Sequence, residues 1–196
     1  MSLGYLKIPF ESVVLRYDDE LTPVKLTGKK MLPIFEFNNN KIMNESLDII
    51  SELDTKNLLK KEKYQENKVS IDSLLREIGD DVHSLCMPYW IWTPEFDADS
   101  RNYFQKKKEV KRGPFKNLIK SKDSTLTHLN KILIKLEDNL DPYYQSSQIS
   151  ILDIMIASHV WGLYIFPEFQ FSSKLHNYLQ LIKKECAFDY HQDYWK

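Results

Sequence analysis

The apolar residues of this chain change their period part-way along it, and that change limits the folds open to it. The first fifty residues carry short strand and turn signals. Beyond residue 69, apolar residues recur at spacings of three and four to the end of the chain, which is the signature of helices with one buried face. A single sheet protein and a uniform helical bundle are both excluded. The reading is α+β: a small N-terminal α/β unit over 1–54, a linker over 55–68 and an all-α unit over 69–196.

Within the first unit, Phe10-Glu11-Ser12-Val13-Val14-Leu15 is β-branched and partly alternating after the turn at Ile8-Pro9, so it reads as a strand. Thr22-Pro23 reads as an N-cap with proline at the first helical position. Gly28 closes that short helix over Val24 to Thr27. Met31 to Phe37, the turn Asn38-Asn39-Asn40 and Lys41-Ile42-Met43 read as a β-hairpin. Pro33 has no amide proton to give to a ladder, so its strand needs a free edge there. From Ser46, the residues Leu47, Ile49, Ile50 and Leu53 mark a short amphipathic helix. The stretch Asp54 to Asn67 is rich in Lys, Asn and Glu and poor in apolar residues, which is the basis for the linker.

In the second unit, Ile71, Leu74, Leu75, Ile78, Val82 and Leu85 lie on one face of a long helix that Pro88 should kink or end. Tyr103 and Phe104 belong to a second helix, closed by Gly113-Pro114. Leu126, Leu129, Ile132, Leu133, Leu136 and Leu140 form a third. Ser150 and Asp153 open a fourth as a capping box with its acidic residue where the helix dipole favours it. A fifth spans Ser173 to Ala187.

Formal charge is −1 with both signs interspersed, which leaves no electrostatic footprint for nucleic acid. The run Lys106 to Arg112 reads as a solvated helix face. No apolar window reaches membrane-spanning length and no signal-peptide pattern is present. Cys86 and Cys186 are a hundred residues apart, outside any CxxC pair, and read as buried small hydrophobes of a reducing cytoplasm. His83, His128, His159, His176 and His191 lack metal-ligand spacing, so no metal is expected. Trp90, Trp92 and Trp161 read as core or interdomain aromatics. There is no phosphate-cradling glycine loop.

Three segments carry a family resemblance: Thr22-Pro23, Gly28 to Ile34, and Met43-Asn44-Glu45-Ser46-Leu47-Asp48-Ile49. Together they resemble the glutathione-binding half of a glutathione transferase or glutaredoxin. Ser100-Arg101-Asn102-Tyr103-Phe104, then Lys107-Lys108-Glu109 and Phe115, resembles the bacterial glutaredoxin 2 type, a glutaredoxin built on the transferase fold. Ser150 to Asp153 matches the capping box of a core helix in that fold. The resemblance implies a thioredoxin-like N-terminal domain, a helical C-terminal domain and glutathione as ligand or cosubstrate. It implies a cis Leu32-Pro33 bond, with the Leu32 backbone pairing the cysteinyl part of glutathione. Ser46 would receive the γ-glutamyl carboxylate at a helix N-terminus, and Glu45 would accept from the ammonium. Lys29 and Lys30 are candidates for the glycyl carboxylate.

The resemblance also shows a gap. A glutaredoxin begins with a strand and a Cys-Pro-Tyr-Cys-like motif at the start of its first helix, where the thiol pKa is lowered. Here Gly4 to Pro9 matches the end of that helix and the approach to the second strand. No catalytic residue is therefore expected in the chain, and its α/β part is expected to be open or to dimerise. The implied function is a glutaredoxin 2-like protein of the glutathione-dependent thiol-disulfide oxidoreductase family, without the redox cysteines. The alternative is a non-catalytic glutathione-binding or protein-interaction module, and a transferase using the Tyr5 hydroxyl is a third. Partners would be glutathione, protein disulfides or a second copy, with no nucleic acid or membrane.

Overall fold

A computed structural model describes residues 1–189 of the chain. His191 and the last residues of the helical unit lie outside the described residues. In chain order the elements are α1 (Ser2–Tyr5), α2 (Leu21–Thr27), β1 (Phe35–Glu36), β2 (Ile42–Met43) and α3 (Ser46–Leu53). The helical part follows with α4 (Glu62–Trp90), α5 (Ala98–Arg112), α6 (Phe115–Lys120), α7 (Lys122–Glu137), α8 (Ile151–Val160), a 3-10 turn (Trp161–Ile165) and α9 (Ser173–Glu185).

Helix α2 begins two residues earlier than a Thr22-Pro23 cap implies. The Asp19 carboxylate accepts from the Thr22 amide at 2.9 Å, which stops the chain earlier. Pro23 then falls in the first turn, where its missing N–H costs nothing. Gly28 closes the helix at φ +76°, and its N–H reaches the Val24 carbonyl at 2.8 Å. The hairpin forms as expected but is short, with Phe35 opposite Met43 and Glu36 opposite Ile42. The Leu32–Pro33 peptide is cis.

The strand expected over 10–15 is not formed. Its residues have strand propensity, but propensity becomes a strand only beside a partner ladder. Among the described residues β1 and β2 pair with each other alone. Phe10, Val13 and Val14 are accordingly exposed at 57%, 73% and 62%. The α/β part is thus open in the described residues.

The stretch read as a linker is more ordered than its composition suggests. The buried Asp54 carboxylate accepts from the Leu58 and Leu59 amides at 2.8 and 2.9 Å. Leu59 is fully buried, and its carbonyl accepts from Ile151 at 2.7 Å. Helix α4 then starts at Glu62, inside the expected linker. Its first three turns are held from the surface by Lys68, whose ammonium reaches Asp72 and the Tyr64 hydroxyl at 2.9 and 2.8 Å. Pro88 does not end the helix, which runs on to Trp90.

Helices α4, α7, α8 and α9 bury their apolar faces against one another. Ile78, Leu129, Ile156 and Leu179 are each fully buried. Helix α8 is apolar nearly all round because it sits in the middle of this group. Its capping box closes as the sequence indicates. A second, smaller cluster of Met87, Ile91, Phe104 and Phe115 lies between α4, α5 and α6, and Tyr17 from the N-terminal part packs into it. Trp90 and Trp161 pack against the cores, but Trp92 is 67% exposed beneath the Arg101 guanidinium, against the core or interdomain role expected of it.

Candidate functional site

The hairpin register decides which residues meet. Phe35 opposite Met43 and Glu36 opposite Ile42 set an antiparallel pairing. The ladder stops there: Leu32-Pro33 leads into β1 at its open end, and Glu45-Ser46 follows β2 at the same end. The four residues singled out from the sequence therefore share the open end of one hairpin, although more than ten positions separate the two pairs.

Each arm presents unused backbone groups. Leu32 is 59% exposed, and its amide has no hydrogen-bond partner among the described residues. On the other arm, Glu45 is extended at φ −103° and ψ 117°, and Ser46 is the first residue of α3. No side chain caps this helix, so its first-turn amides and the exposed Ser46 hydroxyl face outward. An exposed backbone segment at Leu32 and an uncapped helix N-terminus at Ser46 thus flank the open end of the hairpin. The first can pair with a peptide edge and the second favours a carboxylate. The exposed Glu45 carboxylate adds an acceptor for a cation.

The two lysines divide. Lys29 is exposed at the start of the loop. Lys30 is engaged: its ammonium donates to the Tyr17 carbonyl at 2.9 Å, the Tyr103 hydroxyl at 3.2 Å and Glu20 Oε1 at 3.3 Å. An ammonium has three N–H donors, so Lys30 has none left for a ligand. It also lies 4.3 Å from the centre of the Tyr103 ring. Tyr103 and Glu20 were not read from the sequence as site residues. Both are polar residues that look solvated until the two halves of the chain are packed together.

The other candidates lie away from this end. Cys86 and Cys186 are buried free thiols. Burial pushes both thiols up, Cys186 to about 11, so neither is poised as a thiolate. Burial, then Glu185, Cys186 and Asp54, raise the Tyr5 phenol. Among the described residues no group of three His, Cys, Asp or Glu could hold a metal ion. His128 pairs with Asp81 at 2.6 Å, and His176 with the Tyr164 hydroxyl at 3.0 Å. No described helix is long and apolar enough to cross a membrane.

Comparison with known proteins bears on the fold and the family. The glutathione S-transferase N-terminal domain family matches residues 1–60. A glutathione transferase from Phanerochaete chrysosporium shares the fold at a TM-score of 0.67 and 16% identity, over 100% of this chain and 88% of its own. The chain is therefore a protein of the glutathione-transferase fold, with a thioredoxin-like N-terminal domain and a helical C-terminal domain. The family described as Glutaredoxin 2, C terminal domain, matches residues 70–192, and the chain belongs to the glutaredoxin 2 family. Glutaredoxin 2 of Escherichia coli K12 is 27% identical over 94% of this chain and 87% of its own length. Glutaredoxin 2 of Salmonella typhimurium, solved in complex with glutathione, superposes at a TM-score of 0.85 and 25% identity, over 99% of this chain and 90% of its own.

Proposed function

We propose that this glutaredoxin 2-like chain holds glutathione at the open end of the β1–β2 hairpin. The observation that supports the reading is the exposed Leu32 backbone ahead of the cis Pro33, at the same end of the hairpin as the uncapped start of α3. The cysteinyl backbone of the tripeptide pairs with Leu32, beside Pro33, as an added strand edge. The γ-glutamyl carboxylate meets the Ser46 hydroxyl and amide, and its ammonium meets Glu45. Lys29 remains to face the glycyl carboxylate, because Lys30 has spent its donors elsewhere. The Salmonella relative, solved with glutathione, supports the choice of ligand.

Binding and redox chemistry separate in this chain. The glutaredoxin 2 family relationship points to protein disulfides as the family's substrate class. Yet the two thiols of this sequence are buried and held protonated, and we assign no catalytic residue among them. We infer for this chain a glutathione-binding or protein-interaction role, with a second copy as a further partner. Its unoxidised cysteines fit a reducing compartment such as the cytoplasm. We read the chain as an N-terminal unit over 1–54 and a helical unit over 69–196, joined by 55–68. The family matches at 1–60 and 70–192 support that division.

Calorimetric titration with glutathione tests the reading. Saturable binding is expected, weakened roughly tenfold by Ser46→Ala, which removes one hydrogen bond to a charged group. Equal affinity in wild type and variant would move the ligand elsewhere. Alongside it, glutathione-dependent reduction of a small disulfide should show no dependence on Cys86→Ala or Cys186→Ala.

A further inference from the structure

We infer that Lys30 and Tyr103 are positioning residues for the glutathione loop, and that the helical domain sets glutathione affinity through them. This rests on the proposed glutathione reading. Lys30 stands two residues before Leu32. Its loop is already drawn tight locally: Met31 N–H reaches the Lys29 carbonyl at 3.0 Å, and the Thr27 hydroxyl lies 3.1 Å from the same carbonyl. What orients that tight loop is the Lys30 side chain, which is anchored outside it.

The anchor is saturated at both ends. The three donors of the Lys30 ammonium are met by Tyr17 O, Glu20 Oε1 and Tyr103 Oη. The Tyr103 hydroxyl donates to Glu20 and accepts from Lys30 and from Lys107, both at 3.2 Å. A phenol has one donor and two acceptor positions, and all three are used. Lys107 also approaches Glu20 at 3.8 Å. Two ammonium groups therefore face one carboxylate with a phenol between them, and the Lys30 head lies over the Tyr103 ring.

The anchor points are themselves fixed to the helical domain. The Tyr17 ring packs 4.6 Å from that of Phe104 and 5.8 Å from that of Phe96. The Ser100 hydroxyl of α5 donates to Asp18, and Arg16 pairs with Asp97 at 2.7 Å. Residues 16–20 thus ride on α5, and Lys30 ties the ligand loop to them. A loop held in one conformation before the ligand arrives loses less freedom on binding, and affinity rises accordingly.

The test is calorimetric titration of the full chain with glutathione, in wild type, Tyr103→Phe and Lys30→Met. Backbone amide hydrogen exchange across residues 28–32 is measured on the same three proteins without ligand. Tyr103→Phe keeps the ring and removes only the hydroxyl, so it remains informative if Lys30→Met fails to fold. Roughly tenfold weaker glutathione binding is expected in each variant, with faster exchange confined to the loop and an unchanged melting temperature for Tyr103→Phe. Wild-type affinity and wild-type exchange in Tyr103→Phe would overturn the inference. Absence of glutathione binding in the wild type would instead overturn the ligand reading, while the exchange data still show whether the anchor orders the loop.

Discussion

The Tyr178 hydroxyl of α9 donates to the buried carboxylate of Asp153 in α8 at 3.1 Å. The same carboxylate accepts from the Tyr144 amide at 2.7 Å and from the Ser150 amide at 2.8 Å, with the Ser150 hydroxyl at 3.0 Å. A capping box usually serves one helix end. Here it joins the start of α8, the turn before it and α9, within the core. Burial pushes the Asp153 carboxyl up while these donors draw it back.

Asp153→Ala strands two backbone amides and two hydroxyls in an interior that cannot solvate them. The expected loss is about 3–5 kcal/mol, the range for breaking a buried charged network. Tyr178→Phe removes one donor only and should cost about 1–2 kcal/mol. Chemical denaturation followed by far-UV circular dichroism checks both. A loss for Asp153→Ala no larger than for Tyr178→Phe would show that the network does not hold the helices together.

A second expectation concerns Gly4. A Cβ placed there would lie 1.8 Å from the Cys186 carbonyl oxygen, so α1 packs backbone to backbone on the chain after α9. Gly4→Ala would improve helix propensity in isolation. Overpacking against a fixed carbonyl should outweigh that and destabilise the protein by about 1–3 kcal/mol. Thermal melts of the two proteins decide it, and a stabilised Gly4→Ala would mean that α1 does not dock there.

His83 sets an acid limb. Burial, then the positive charges of Arg112, Lys108 and His159, lower its imidazole from 6.5 to about 4, with Asp80 opposing. The folded state thus binds this proton less readily than the unfolded chain. The group costs nothing above pH 6.5, and stability falls as the pH drops from 6.5 toward 4. Allowing for its partial exposure, the loss is about 1–2 kcal/mol. Urea midpoints at pH 7 and pH 4.5 should converge for His83→Gln relative to wild type. An equal acid loss in both proteins would assign it to other groups.

Much of this fold was legible because its signals are local. The 3.6-residue period gave the faces of α4 and α7, Gly28 marked a helix end, and Ser150 with Asp153 marked a helix start. Where a feature depends on a distant partner, the sequence was silent or misleading. Phe10 to Leu15 has strand composition but no neighbouring ladder. The stretch 55–68 looks like a linker, yet Asp54 and Leu59 tie its start to the core, and α4 begins within it. The site followed the same rule. Leu32, Pro33, Glu45 and Ser46 could be named from a resemblance alone, and in the fold they flank the open end of the hairpin. Lys30 was a candidate ligand until the tertiary structure accounted for its three donors, and no local pattern pointed to Tyr103 or Glu20.

The central claim is that glutathione lies across the open end of the hairpin. Titration of 15N-labelled protein with glutathione, followed by amide chemical shifts, tests it most directly. Saturable shifts centred on Leu32, Glu45, Ser46 and Leu47 are expected, with smaller shifts at Lys29 and Lys30. Saturation without change at Leu32 and Ser46, or no saturable shift at all, would contradict the account.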